Sequence, residues 1–174
     1  MNTRPALSRR AMLGAAFGAL VPLTACAPRE AGDDAAVARS TPPAGAATPV
    51  ALSAEVWKSP TCGCCKAWVK HLEGNGFAVT THDVADTAAM RKQLGMPANL
   101  GSCHSARIGG YAVEGHVPAS DIKRLLTEKL HAVGLSVPGM PIGSPGMEQD
   151  GQKDQYDVLL VLHDGTTRIF QSHS

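Results

Sequence analysis

Three cysteines with the potential for chemistry, Cys62, Cys64 and Cys65, stand within four consecutive positions of the 174-residue chain. Cys62 and Cys65 form a C-x-x-C pair, and Cys64 is an additional thiol inside it. A predicted strand ends just before the motif and a predicted helix begins within it, which places the sulfurs at a helix N-terminus. The unpaired N–H groups and the dipole there stabilise a thiolate. Because a thiolate is both a nucleophile and a metal ligand, the motif supports either thiol–disulfide exchange or metal binding.

The number of thiols favours metal binding. Disulfide exchange needs two thiols, and a third thiol close by would scramble the pair. Thiolates select soft ions, Cu(I) first and zinc less so, and three of them can bridge several Cu(I) ions. Two alternatives stay open: an oxidoreductase that uses Cys62 and Cys65, and a stabilising disulfide beside idle thiols.

Further candidate ligands follow along the chain. Cys103 and His104 directly precede a predicted β-hairpin, and in a thioredoxin-like fold this segment packs beside the C-x-x-C turn. Cys103 can then complete a four-sulfur site, to which His104 adds an imidazole. The alternative is a small buried cysteine beside a surface histidine. His116, Met140 and Met147 are candidate secondary ligands, and the alternatives are a hydrogen-bonded structural histidine and methionines that pack a loop.

The elements that must position these residues follow from apolar periodicity and turn residues. Gly74 and Gly76 end the first helix, and Gly109-Gly110 and Asp164-Gly165 are typical of hairpin turns. We predict strands at residues 55–58, 77–81, 106–108, 111–113, 156–162 and 167–170, helices at residues 64–73, 87–94 and 120–130, and a loop at residues 137–150. A β-α-β unit followed by a β-β-α unit is the thioredoxin-like plan. The predicted fold is therefore α/β and thioredoxin-like, with a mixed sheet, flanking helices and an extra C-terminal β-hairpin.

Residues 1–25 have the pattern of an export signal. Arginines precede an apolar run of 15 residues, which is shorter than the roughly 20 residues that cross a bilayer. Leu23-Thr24-Ala25-Cys26 resembles a bacterial lipoprotein signal, in which Cys26 is acylated and becomes the first mature residue. Ser8-Arg9-Arg10 resembles a twin-arginine signal. The alternative is ordinary secretion with cleavage near the same place.

Residues 26–53 are predicted to be a lipid-anchored flexible linker, because they are rich in Ala, Pro, Gly and Thr and lack apolar periodicity. The alternative is an extended arm packed on the domain. Residues 54–174 form the predicted thioredoxin-like metal-binding domain. The five cysteines thus divide into one anchor and four ligands.

Composition excludes several functional classes. A net charge of +1 gives no basic surface for nucleic acid, and 44% hydrophobic residues are typical of a folded protein. No P-loop, dinucleotide-binding or zinc-protease motif is present. We expect a periplasm-facing lipoprotein, or a soluble periplasmic protein, in the bacterial cell envelope. Its expected partners are copper ions, the membrane through the anchor, and a copper-transfer protein.

Together these motifs resemble the CopG-like copper-resistance proteins, a bacterial family long described only as a metal-binding domain of unknown function. The matching segments, in the expected order, are Pro60-Thr61-Cys62-Gly63-Cys64-Cys65-Lys66, Cys103-His104, Glu114-Gly115-His116-Val117-Pro118, Val137-Pro138-Gly139-Met140-Pro141 and Ser144-Pro145-Gly146-Met147-Glu148.

The resemblance implies an envelope protein that binds copper in a cysteine-bridged cluster, through Cys62, Cys64, Cys65 and Cys103. It also implies a role in copper tolerance, by sequestration or by redox conversion of copper, with a copper chaperone as a further alternative. Ordinary thioredoxins place a proline immediately before the hairpin, whereas Ser102-Cys103-His104-Ser105 stands there in this chain. A ligand-bearing residue at that point favours metal over disulfide exchange.

Overall fold

The computed structural model describes residues 52–174. Their elements are β1 (Leu52–Lys58), α1 (Gly63–Gly74), β2 (Phe77–Asp83), α2 (Thr87–Gln93), β3 (His104–Ile108), β4 (Tyr111–Glu114), α3 (Ala119–Glu128), β5 (Gly134–Ser136), β6 (Tyr156–Val161) and β7 (Thr167–His173), with a 3₁₀ turn at Ala98–Leu100. The predicted signal, the anchor Cys26 and the linker up to residue 51 lie outside the described residues. Among the helices of residues 52–174, none has both the length and the apolar character needed to cross a bilayer.

The strands form one mixed sheet in the order β2-β1-β3-β4-β5-β6-β7. β1 and β2 are parallel, β3 is antiparallel to β1, and β4 is antiparallel to β3. Beyond β4, β5 pairs in parallel and the β6–β7 hairpin completes the sheet. This arrangement confirms the predicted α/β thioredoxin-like fold with an extra C-terminal hairpin.

Several strands extend beyond their predicted bounds, and two further differences concern the strand β5 and the start of the domain. The strand β5 was not predicted, because three residues are too few to show a periodicity. Gly134 allows its pairing with β4, since a Cβ there would lie 1.7 Å from the carbonyl oxygen of Ala112. β1 begins at Leu52, so residues 52 and 53 belong to the sheet rather than to the predicted linker, and Leu52 pairs with Phe77.

The main core lies between the sheet and helices α1 and α3. It contains Trp68 and Leu72 from α1 and Ile122 and Leu125 from α3, all of them almost fully buried. Burying side chains of this size contributes about 1.5–3 kcal/mol each. His104 continues the inward-facing row of β3, because it pairs with buried Lys58 and paired residues point to the same face of a sheet. The core therefore ends in polar side chains beside the C-x-x-C turn.

Candidate metal site

The C-x-x-C turn connects β1 to α1 and places its sulfurs at the start of the helix. Cys62 is the N-cap residue of α1, and its Sγ accepts a hydrogen bond from the backbone N–H of Cys65 over 3.3 Å. The first turn of α1 carries no acidic residue. The positive end of the helix dipole therefore faces sulfur rather than a carboxylate, which is the environment predicted from the sequence.

Four sulfur atoms form one cluster around this turn. Cys62 and Cys65 are joined by a disulfide, and Cys64 and Cys103 are free thiols. The Sγ of Cys64 lies 3.5 Å from that of Cys62 and 3.8 Å from that of Cys103. All four sulfurs lie within 4.8 Å of one another. The structure thus brings Cys103 beside the C-x-x-C turn, as the sequence predicts, and it shows the C-x-x-C pair in its oxidised form.

Two imidazoles extend the cluster on the side of Cys103. The Sγ of Cys103 lies 3.3 Å from Nδ1 of His104 and 3.1 Å from Nε2 of His116. Both histidines are fully buried, so the alternative of a surface His104 is wrong. Nδ1 of His116 lies 2.8 Å from the carbonyl oxygen of Pro145, to which only an N–H can donate. In the neutral ring this leaves the lone pair of Nε2 directed at Cys103.

Burial keeps these imidazoles neutral and the Cys103 thiol protonated. Desolvation, with His116 as a second cause, lowers the pKa of His104 to about 3. Desolvation also lowers the pKa of His116, opposed by the Pro145 carbonyl and Glu148. Desolvation first, and the neighbouring Cys64 next, raise the pKa of Cys103 to about 12. Neutral imidazoles are ready to bind a metal ion, whereas such a thiol ionises only where a cation compensates its charge.

Trp68 forms the wall of the site toward the core. Its ring centroid lies 4.4 Å from that of His104, and its Nε1 donates a hydrogen bond to the carbonyl oxygen of Val117 over 2.9 Å. Nε2 of His104 is buried without a hydrogen-bond partner among the described residues. The ring is held beside the sulfurs by its packing on Trp68 and by the contact of its Nδ1 with Cys103, while its unpaired Nε2 carries the desolvation cost of a buried polar atom.

The predicted loop at residues 137–150 covers the site from the side of α1. Gly146 has φ +86°, and a Cβ there would lie 2.7 Å from the backbone nitrogen of Trp68 and 2.8 Å from the carbonyl oxygen of Cys64. A glycine is therefore required for the loop to touch the helix. The preceding residue, Pro145, supplies the carbonyl that orients His116.

The two candidate methionine ligands lie on this loop. Met147 follows Gly146 directly and is half-buried, and its backbone N–H donates to the carbonyl oxygen of Ser144 over 2.8 Å. Met140 follows Gly139, whose carbonyl accepts a hydrogen bond from the Ser102 hydroxyl, and its own side chain is 54% exposed. Both stand next to residues that are anchored beside the site, and their role as ligands stays a prediction.

A buried carboxylate, absent from the predicted site, organises the residues around Cys103. Oε1 of Glu114 accepts hydrogen bonds from Nε of Arg91 over 2.7 Å and from the backbone N–H of Ser102 over 2.8 Å. Oε2 accepts one from the hydroxyl of Ser105 over 2.5 Å. In the sequence Glu114 is only the acidic residue that ends the strand motif Tyr-Ala-Val-Glu, and its burial, which requires hydrogen-bond partners, is visible only in the structure.

The converging donor atoms fit a soft or borderline metal ion. Among the described residues, the two groups of metal-ligating side chains contain thiol sulfurs and imidazoles and no carboxylate. Such ligands select Cu(I) or zinc over magnesium and calcium. The fold and the site together define a thioredoxin-like protein with a thiol-rich cluster that is capable of binding a metal ion.

Known proteins that resemble the chain identify its family. Residues 100–147 match the family described as "Protein of unknown function, DUF411". The solved structure "Copper resistance protein copG- Form 2" is 47% identical, with a TM-score of 0.68, over 71% of this chain and 98% of its own. "Copper resistance protein copG- Form 1" is 48% identical, with a TM-score of 0.67, over 70% and 97%. No curated protein matches significantly. The chain belongs to the CopG family of copper-resistance proteins, as its motifs predict.

Proposed function

We propose that this protein binds Cu(I) as its cargo in the bacterial cell envelope and thereby contributes to copper resistance. The observation that supports the proposal is the meeting of two free thiols, Cys64 and Cys103, at 3.8 Å, beside the neutral imidazoles of His104 and His116. The solved relatives carry the name of copper resistance proteins. Thiolates and imidazoles together are ligands that Cu(I) prefers.

The proposed binding reaction releases protons. A thiol with a raised pKa, such as Cys103, loses its proton when a cation occupies the site, and the histidines already offer neutral nitrogens. Because thiolates bridge metal ions readily, the four sulfurs within 4.8 Å suit more than one Cu(I) ion once the Cys62–Cys65 disulfide is reduced. We therefore propose sequestration of Cu(I), with Cys62, Cys64, Cys65 and Cys103 as the main ligands.

The redox state of Cys62 and Cys65 sets the number of sulfurs available. Their disulfide leaves Cys64 and Cys103 as the free thiols of the cluster. A dithiol reductant that supplies two electrons and two protons would break the S–S bond, become oxidised to its own disulfide, and return two thiols to the site. We propose that the reduced protein is the form with full copper capacity.

We propose the periplasmic side of a membrane as the place of action, on the basis of the sequence pattern of residues 1–25. Acylation at Cys26 would hold the domain at a membrane through the linker, facing the periplasm, where copper from outside arrives first. Conversion between Cu(I) and Cu(II), and delivery of copper to a transfer protein, are extensions of the same proposal.

A Cu(I) titration of the full-length reduced protein, in competition with a chromogenic Cu(I) chelator, tests the proposal. We expect at least one Cu(I) per chain for the wild type, and a loss of affinity of tenfold or more for Cys103→Ser. Cys26→Ser is the matched control, because it replaces a cysteine outside the predicted site, and it should bind as the wild type does. Failure of the wild type to retain Cu(I), or equal binding by Cys103→Ser, would contradict the proposal.

A second candidate function is thiol–disulfide exchange, favoured by the disulfide between Cys62 and Cys65 at the N-terminus of α1. The Sγ of Cys64 lies 3.5 Å from that of Cys62. At this distance the Cys64 thiol can itself attack a disulfide formed by Cys62, and this internal exchange competes with exchange with an external substrate. We therefore expect slow reduction of insulin disulfides by the reduced protein. Turnover at the rate of an ordinary thioredoxin would favour the oxidoreductase.

A further inference from the structure

Cys103 stands outside the hydrogen-bond ladder of the sheet. The pairing of β3 with β1 begins at His104, opposite Lys58, and the 3₁₀ turn ends at Leu100. The intervening residues, 101–103, therefore need other groups to fix their backbone. The position of the Cys103 sulfur depends on those groups, because a side chain follows the peptide units that flank its Cα.

Arg91 and Glu114 hold the residue before Cys103 at both of its peptide groups. The N–H of Ser102 donates to Oε1 of Glu114 over 2.8 Å, and its carbonyl oxygen accepts from a terminal nitrogen of Arg91 over 2.9 Å. The same carboxylate accepts the hydroxyl of Ser105, two residues beyond Cys103. The contacts thus clamp the chain on both sides of the sulfur.

The two charged side chains also bind each other in the interior. Nε of Arg91 lies 2.7 Å from Oε1 of Glu114, with side chains exposed by only 12% and 1%. A buried ion pair is a poor source of stability, because desolvation offsets most of its attraction. The pair instead fixes the orientation of the Arg91 side chain. Its planar guanidinium donates from two nitrogens in a rigid geometry, one to Glu114 and one to the Ser102 carbonyl.

Gly101 leaves the space through which Arg91 reaches the Ser102 carbonyl. A Cβ at Gly101 would lie 2.7 Å from the guanidinium carbon of Arg91. The backbone of Gly101 has φ −68° and ψ 146°, a conformation that alanine adopts without strain. Gly101→Ala would therefore displace the guanidinium while every charged group remains in the chain.

We propose that Glu114 and Arg91 are positioning residues that hold Cys103 at the distance from Cys64 that metal binding requires. The inference rests on the proposed function, which supplies the metal. It concerns residues that donate no ligand atom themselves. Groups that orient a ligand in this way typically change metal affinity by roughly 10- to 100-fold when they are replaced.

The first test measures Cu(I) affinity of the full-length reduced protein by chelator competition. Glu114→Gln and Gly101→Ala should each weaken binding by about 10- to 100-fold. The matched control is Glu128→Gln, which breaks an exposed carboxylate–arginine contact of the same kind, to Arg124 over 2.8 Å. This control should bind Cu(I) within twofold of the wild type.

A double-mutant cycle separates positioning from a general weakening of the fold. If Glu114 acts through Cys103, Glu114→Gln should have little further effect on Cu(I) affinity in a Cys103→Ser background. An effect of equal size in both backgrounds would overturn the proposal. Tighter Cu(I) binding by Glu114→Gln would also overturn it, because that outcome indicates an unfavourable charge on the thiolates rather than a geometric role.

The second test needs no copper. In a Cys26→Ser, Cys64→Ser background with the Cys62–Cys65 disulfide intact, Cys103 is the free thiol that remains. Its reaction with a thiol reagent should accelerate tenfold or more in Glu114→Gln and Gly101→Ala and stay unchanged in Glu128→Gln. Each variant is first shown to be folded by circular dichroism, and Gly101→Ala serves if Glu114→Gln does not fold.

The two tests distinguish the inference from the function on which it rests. Absence of Cu(I) binding by the wild type, together with faster reaction of Cys103 in the variants, would refute the proposed function and keep the positioning role. Variants that leave the reaction rate of Cys103 within twofold of the unaltered background would refute the positioning role, whatever the copper affinity.

Discussion

The sulfur atoms of Cys64 and Cys103 lie 3.8 Å apart, although 39 positions separate the two residues in the chain. They meet because β1, which leads into the C-x-x-C turn, pairs directly with β3, which follows Cys103. The buried His104 and His116 lie on the other side of Cys103. A strand pairing that is ordinary for this fold thus joins thiols and imidazoles from three separate segments of the chain.

Reduction of the Cys62–Cys65 disulfide should raise the copper capacity of the protein. The oxidised form offers two free thiols in the cluster and the reduced form offers four, so we expect the reduced protein to retain more Cu(I) per chain. Copper bound after desalting, measured by metal analysis on the two forms, checks this expectation. Equal copper content in the oxidised and reduced forms would mean that Cys62 and Cys65 are not ligands.

Gly146→Ala should destabilise the protein and weaken metal binding together. A Cβ at this position meets the backbone of Trp68 and Cys64, and forced overpacking costs about 1–3 kcal/mol. The shift would also move the Pro145 carbonyl away from His116. The control is Gly151→Ala, which has a similar φ of +69° but open space around its Cβ.

Urea unfolding and Cu(I) titration of these two glycine variants measure the effect. We expect Gly146→Ala to lose more unfolding free energy than Gly151→Ala, by about 1–3 kcal/mol, and to bind Cu(I) more weakly. Equal losses in both variants would show that backbone strain alone, rather than contact of the loop with α1, explains the requirement for glycine.

Trp68→Phe should lower the unfolding free energy by about 1–3 kcal/mol or more, because it leaves the carbonyl oxygen of Val117 buried without its donor. Val117 is fully buried, and the indole nitrogen supplies its hydrogen bond. Trp57→Phe is the comparison, at a half-buried ring that stacks on His82 at the surface of the sheet. A urea titration in which Trp57→Phe costs as much as Trp68→Phe would contradict the role given to Trp68.

Acidification should destabilise the fold in part through His71. Its Nε2 accepts a hydrogen bond from the backbone N–H of Ala119, at the start of α3, which only the neutral ring can do. Burial lowers the pKa of His71 in the folded protein, opposed in part by Glu148. In the unfolded chain the pKa of this histidine is about 6.5, so the unfolded chain takes up the proton first as the pH falls. The unfolding free energy should therefore fall as the pH drops below about 6.5 toward the pKa of the folded state.

Replacing His71 by glutamine isolates this contribution, because an amide oxygen accepts a hydrogen bond and does not titrate. We expect His71→Gln to lose less unfolding free energy than the wild type between about pH 7.5 and pH 5. The lowered pKa values of His104 and His116 contribute in both proteins and cancel in the comparison. Parallel pH profiles for the two proteins would exclude His71 as a source of the acid sensitivity.

The sequence was sufficient to predict the positions of the sulfurs. A C-x-x-C pair at a strand–helix junction and Cys103 just before a Gly-Gly hairpin come together in any β-α-β, β-β-α arrangement of this kind. The spacing did not reveal that Cys62 and Cys65 are joined, because spacing allows both the oxidised and the reduced form. The burial of His104 also escaped prediction, since it depends on the contact of its ring with Trp68.

The groups that orient the site could not be predicted from one sequence. Glu114 and Arg91 are 23 positions apart, and their pairing depends on how α2 packs against β3. The strand β5 is too short to show an apolar periodicity. It forms through its pairing with β4 on one side and β6 on the other. Such features arise from tertiary packing rather than from local periodicity.

X-ray absorption at the copper edge of the reduced, Cu(I)-loaded full-length protein tests the central claim most directly. The proposed site predicts copper bound mainly by sulfur, with a nitrogen contribution from His104 or His116. It also predicts a lower sulfur signal per chain in the Cys64→Ser, Cys103→Ser double variant, in which Cys62 and Cys65 are the thiols left in the cluster. A spectrum with only nitrogen and oxygen neighbours, or the same sulfur signal per chain in the double variant, would contradict the assignment of these cysteines as copper ligands.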